Sequence, residues 1–125
     1  MSTPPRIKVA SVWRHLRQES EVRVYVGRKC RGYAESPLHN PHFGGGKEDA
    51  LEGFRTHLRR ELADPRSPAA LEVVRLAELH AAGHPITLLC WCAPGPEGLP
   101  LDGVVICHAQ IIGQVVEKVS EKLRA

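Results

Sequence analysis

Ile86-Thr87-Leu88-Leu89-Cys90 is a short, almost wholly apolar run, with Gly83 and Pro85 before it and a proline- and glycine-rich stretch from Pro94 to Gly103 after it. A run of this length between turn residues reads as a strand. Apolar side chains at successive positions, rather than alternate ones, place it at the centre of a sheet, buried on both faces. Such strands belong to sheets covered by helices, so the segments on either side decide the fold class.

Upstream, Ser67-Pro68 pairs a capping hydroxyl with a proline at the first helical position, and Gly83 and Pro85 end the helix that follows. Leu71, Val74 and Leu79 are expected to form its apolar side. The preceding helix is expected from Lys47 to Pro65, because Leu51, Phe54, Leu58 and Leu62 recur at three- and four-residue spacing and Glu48 and Asp49 occupy the first turn. Further back, Ile7-Lys8-Val9 and Val22-Arg23-Val24-Tyr25-Val26 alternate as strands do, the second stopping at Gly27. Downstream, Ile112, Val115, Val116, Val119 and Leu123 repeat at helical spacing, with Lys118, Lys122 and Arg124 toward the end where cations suit the dipole. The order strand, strand, helix, helix, strand, helix predicts a small α/β sandwich of two or three layers, with a mostly parallel sheet flanked by helices and functional loops at the strand ends.

The 125 residues fit one domain, 1–125, and 42% apolar content fills its core without disulfide or metal staples. No segment has the apolar length of a membrane span, and Met1-Ser2-Thr3-Pro4-Pro5 lacks the apolar stretch of a secretory signal, so a cytoplasmic protein with reduced thiols is expected. A net charge of +3 suits phosphorylated ligands but is too small to imply nucleic-acid binding. Trp13, Trp91, Tyr25 and Tyr33 are likewise few for a base-stacking surface, and Trp91 is expected to pack as a strand residue.

Chemistry has two candidate seats. The first is the long aperiodic loop from Arg28 to Gly46, entered from Gly27 and left through Gly44-Gly45-Gly46-Lys47. Glycines entering a helix leave backbone N–H groups open to an anion, the helix N-terminus adds partial positive charge, and Arg28, Lys29, Arg31 and Lys47 supply countercharge. The same composition also describes a solvated surface loop. No Gly-Lys-Ser/Thr follows at the required spacing, so this is not a P-loop.

The second seat is Cys90-Trp91-Cys92 with Cys107-His108. Three thiols and an imidazole form a donor set for tetrahedral zinc or for an iron centre, although structural zinc sites usually separate their cysteines by two to four residues. A buried cysteine is more often core than ligand, and Cys90 is read that way first. Alternatively, Cys107 at the N-terminus of the last helix is a nucleophile activated by the dipole, with His108 as acid or base. Glu35 and Asp102 are the nearest carboxylates and serve as general acid or base if burial raises their pKa.

With these residues in view, the chain resembles a family of short bacterial and phage proteins, domain of unknown function 4326. The resemblance rests on Val24-Tyr25-Val26-Gly27-Arg28, on Ser36-Pro37-Leu38-His39-Asn40-Pro41-His42-Phe43, on Leu89-Cys90-Trp91-Cys92-Ala93-Pro94 and on Cys107-His108-Ala109. This chain departs from that pattern at His39, at His42 before Phe43, and in a longer stretch from Gly95 to Ile106. The resemblance implies kinship with Rossmann-like nucleotide-binding sandwiches, some of which bind or cleave nucleotide-linked sugars, and a single pocket faced by both motif sets.

Three functions follow as expectations. The leading one is binding of a nucleotide or phosphorylated nucleoside through Gly27, Arg28, Ser36, Asn40, Gly45, Gly46 and Lys47, with hydrolase or transferase chemistry on it through Glu35, Cys107 and His108. The second is a zinc, iron or thiol centre at Cys90, Cys92, Cys107 and His108. The third is a non-enzymatic module whose loops bind another protein.

Overall fold

The computed structural model describes residues 4–13, 20–30, 32–41, 46–91 and 98–125. Its elements, in chain order, are β1 (Lys8–Ser11), β2 (Val22–Tyr25), α1 (Lys47–Ala63), α2 (Pro68–Ala81), β3 (Ile86–Cys90) and α3 (His108–Arg124). The three strands form one parallel sheet in the order β1-β3-β2, and all five residues of β3 are buried. The fold is thus α/β with a parallel sheet, as the apolar run at 86–90 predicts.

Register assigns the two faces of the sheet. Val9, Leu88 and Val24 share one rung, and Lys8, Thr87 and Arg23 share the next. Because successive side chains alternate, Val9, Val24, Ile86, Leu88 and Cys90 point to one face, where they join Val73, Leu76, Ile112 and Val116 in the core. The helices α2 and α3 pack on each other and both reach β3, while α1 packs on α2 and α3, so the helical layer lies on that face. The opposite face carries Lys8, Arg23 and Tyr25 with the buried Ala10, Thr87 and Leu89.

Local chemistry sets the joints. Ser67 caps α2 by accepting from the Ala70 N–H at 3.1 Å, and the same hydroxyl donates to the Glu61 carbonyl of α1 at 2.7 Å. At the far end of α2, Gly83 N–H donates to the His80 carbonyl and His84 N–H to the Leu79 carbonyl, which satisfies two terminal acceptors. Buried His80 ties three segments together: its Nε2–H donates to the Pro5 carbonyl at 2.8 Å, and its Nδ1 lies 2.7 Å from Ser120 Oγ on α3. Beside β1, Leu99 N–H donates to the Val9 carbonyl, and a side chain at Gly98 would collide with that same carbonyl. Gly98, at φ +73°, permits the close approach that covers this edge of the sheet.

The apolar side of α2 differs from the expected one. Its buried residues are Ala69, Ala70, Val73, Leu76, Ala77 and His80, whereas Leu71 is 58% exposed and Val74 42% exposed. Small alanines let α2 approach α3 closely, so the packed face is set by size and not by the largest apolar residues. Leu71→Glu and Val74→Lys are accordingly expected to leave stability within about 0.5 kcal/mol of the parent in urea titrations. A loss of several times that amount in either variant would restore the Leu71/Val74 face to the core. Among the described residues, no helix is long and apolar enough to cross a membrane.

Candidate functional site

Both loop motifs leave the carboxyl ends of neighbouring strands, β2 and β3, which is where open parallel sheets present their ligand sites. The turn after β2 is fastened by its own backbone. Ser36 N–H donates to the Gly27 carbonyl at 3.0 Å, His39 N–H to the Ser36 carbonyl, and the Ser36 hydroxyl accepts from Leu38 N–H at 3.0 Å. Leu38 is thereby anchored in the core. Ser36 is buried and shapes the loop from within.

Arg28 Nε donates to the Asn40 carbonyl at 2.9 Å, and the Asn40 amide donates to the Ala50 carbonyl of α1 at 3.1 Å. Arg28 and Asn40, twelve residues apart in sequence, therefore meet, and Asn40 ties the loop to the first turns of the helix. Gly46 precedes α1, and no side chain caps that helix end. Lys47 is its first residue. Gly45 and Arg31 lie outside the described residues.

Aromatic residues surround this turn. The Trp13 and Trp91 rings meet edge-on with centroids 4.9 Å apart, Tyr33 meets Trp91 edge-on at 6.5 Å, and Tyr25 lies against Tyr33 at 4.6 Å. Trp91 Nε1–H donates to the Tyr25 hydroxyl at 2.8 Å, which in turn donates to the Arg28 carbonyl. Burial pushes the Tyr25 phenol above its ordinary pKa, with the Trp91 hydrogen bond opposing in part, so at neutral pH it keeps the proton it donates. A side chain at Gly27 would strike the end of the Tyr25 ring, so glycine makes room for the tyrosine here. Tyr25 and Tyr33 line a shallow groove with Glu21, Arg23 and Leu89 on the sheet face away from the helices. Trp13 is 75% exposed and Trp91 36% exposed, an unusual amount of aromatic surface left to solvent.

Composition gave no sign of this cluster, since four aromatic residues spread along a chain look sparse. The signal that could have found it is topological: Tyr25, Trp91 and Trp13 each stand at or just beyond the carboxyl end of a strand. Parallel strands bring those ends together.

The second motif set also converges in part. Cys90 ends β3 and Cys107 stands immediately before α3; their sulfurs are 3.1 Å apart and both thiols are buried. His108 Nε2 is 2.7 Å from the Val26 carbonyl. A carbonyl only accepts, so Nε2 carries the proton, and in the neutral ring Nδ1 is the basic nitrogen, 3.9 Å from Cys107 Sγ. The Phe54 ring meets the same imidazole in a T-shaped contact, with centroids 5.1 Å apart. Cys92 lies outside the described residues, and among the described residues no three His, Cys, Asp or Glu side chains are grouped to hold a metal.

The carboxylates stand apart from this centre. The Glu35 side chain is 56% exposed, 3.6 Å from His39 Nε2, without the burial that the acid–base role demands. Asp102 is held 2.9 Å from Arg6, which keeps its carboxyl below the usual range, the opposite of the required shift. Cys30 is exposed and closes a small turn with Tyr33.

Gln110, which sequence reasoning passed over, organises the approach to α3. It is fully buried, and its Oε1 accepts from the N–H groups of Ile106 at 2.8 Å and Cys107 at 3.0 Å. Its Nε2 donates to the carbonyls of Pro100 at 2.7 Å and Val104 at 3.2 Å. Its position three residues after Cys107 is that of the glutamine in a capping box, the one sequence signal for its role.

No curated protein and no solved structure matches the chain. One family model does, over residues 11–118, a span that includes β2, β3, both loop motifs and most of α3. The chain is a member of the family described as Domain of unknown function (DUF4326).

Proposed function

We propose that this protein binds a nucleotide or phosphorylated nucleoside at the carboxyl ends of β2 and β3. The observation that carries this reading is the gathering of Trp13, Trp91, Tyr25 and Tyr33 around the Gly27-Arg28 turn. Flat aromatic surface next to a guanidinium suits a ligand with a planar base at one end and phosphate at the other. The entry to α1 at Gly46, without a side-chain cap, adds N–H groups on the phosphate side. The parallel sheet with its loops at the carboxyl ends is in keeping with kinship to Rossmann-like nucleotide-binding sandwiches, and a cytoplasmic setting in a bacterium or phage-infected cell would supply such ligands. Any hydrolysis or transfer on the bound ligand would draw on His108, whose Nδ1 is the basic nitrogen beside Cys107.

Both tryptophans of the chain sit in this cluster, so intrinsic fluorescence reports on it directly. Nucleoside monophosphates are expected to quench that fluorescence and, at about a hundred times Kd, to stabilise the fold by about 2.7 kcal/mol in a thermal melt. Arg28→Ala should weaken binding by roughly 10- to 100-fold, the worth of a charge-assisted hydrogen bond. If nucleotides and sugar phosphates alike neither quench nor stabilise, the reading loses its basis.

A second reading rests on the meeting of Cys90 and Cys107, with His108 Nδ1 3.9 Å from Cys107 Sγ. Thiolates sharing a tetrahedral zinc with bonds of about 2.3 Å lie about 3.8 Å apart, whereas these sulfurs are 3.1 Å apart and pack as thiols. Zinc or iron would therefore have to spread Cys90 and Cys107 before His108 Nδ1 and Cys92 completed the set. One equivalent of metal in protein purified without chelator, lost in Cys107→Ser, would promote this reading over the first.

A further inference from the structure

On α3, Ala109, Ile111, Ile112, Val116 and Ser120 are buried, while Val115 and Val119, one turn apart, pack against the core and stay half-buried. Ile111 and Val115 line a groove whose other wall is α1, where Leu58 and Leu62 continue the apolar floor. Beyond Lys118, α3 alone carries the surface on through Val119 to Lys122 and Ala125. From Ile111 to Lys122 this surface is about 16 Å long, three turns of a helix.

Its rim is cationic. Arg55 and Arg59 stand on the α1 side, Lys118 and Lys122 on the α3 side, and Glu121 is the one acidic side chain among the lining residues. Arg55 already has Glu52 at 3.4 Å, while Arg59, Lys118 and Lys122 are exposed. An apolar floor between two rows of positive charge fits an amphipathic helix with an apolar stripe flanked by Asp or Glu. A second copy docked groove to groove would bring two cationic rims together. We infer that the α1–α3 groove docks an acidic amphipathic helix of a partner protein. This surface is independent of the nucleotide reading.

The test uses the full chain and a synthetic helical peptide of about 16 residues, with leucines at i, i+3, i+4, i+7 and i+11 and glutamates beside them, labelled for fluorescence anisotropy. A control peptide carries lysine at every glutamate position. The glutamate peptide is expected to bind and the lysine peptide not to. In the Arg59→Glu/Lys118→Glu protein, whose exposed substitutions leave the melting temperature unchanged, binding should weaken by at least about tenfold. Failure of the glutamate peptide to bind, equal binding of the two peptides, or equal binding to the charge-reversed protein would overturn the inference. So would dimerisation of the chain alone that Val119→Asp abolishes, which would give the groove to a second copy.

Discussion

A Gln110→Leu protein is expected to unfold about 10 °C below the parent, a loss of about 3 kcal/mol. The side chain makes four hydrogen bonds from a fully buried position, two accepted and two donated. Leucine fills nearly the same volume, so packing is largely kept and the loss isolates the polar network. It leaves the N–H groups of Ile106 and Cys107 and the carbonyls of Pro100 and Val104 without that partner, at about 1–3 kcal/mol for each group that water cannot reach. Gln110→Glu sharpens the test, since a carboxylate accepts from the two N–H groups but turns its second oxygen against two carbonyls. Both variants should fall well below the parent in urea titrations. If Gln110→Leu unfolds within a degree or two of it, the buried amide is not what holds residues 100–107 against α3.

Phe54→Ala is expected to cost about 3–5 kcal/mol, the range for emptying the space of a fully buried phenylalanine. Phe54 has no exposed surface, and its ring meets His108 edge-on at 5.1 Å. The substitution therefore removes core volume and one wall of the imidazole site together. Phe54→Leu keeps most of the volume and should cost less than half as much, while still loosening the ring. The His108 side-chain resonances, followed through a pH titration, should shift in Phe54→Leu, because an aromatic ring no longer stands against the imidazole. Loss of less than about 1 kcal/mol in Phe54→Ala would mean that α1 contributes little to the core, contrary to the burial of Phe54 and Leu58.

The elements that follow a local rule were legible in the sequence. The run at 86–90 gave the central strand because a short, almost wholly apolar run between turn residues fits a strand covered on both faces, and Ser67-Pro68 marked the start of α2 because capping chemistry acts within a few residues. What failed depended on the partner surface. Leu71 and Val74 looked like the buried face of α2, but the neighbouring helix selects alanines at close approach, and no periodicity of α2 alone encodes that choice. The site divides in the same way. Arg28 and Asn40 were marked by their motif and do meet, whereas the aromatic cluster is assembled by three strand ends and a loop far apart in sequence. Ser36, expected among the ligand contacts, has a hydroxyl that accepts from Leu38 N–H within its own loop.

The position of β3 has a consequence for how the chain is made. It is the last strand in sequence and the only described one that pairs with both others, since β1 and β2 do not touch. During synthesis from the N-terminus, β1 and β2 emerge with no sheet to join. The hairpin of α1 and α2, stitched by the Ser67 hydroxyl, can form first from local contacts, but both early strands must wait for residues 86–90. At about 5–20 residues per second, the interval from β2 to β3 lasts several seconds, with apolar strand edges bare throughout. The sheet then assembles in one step around its centre, so premature termination before Cys90 releases a fragment with two unsatisfied strands, a substrate for chaperones and proteases.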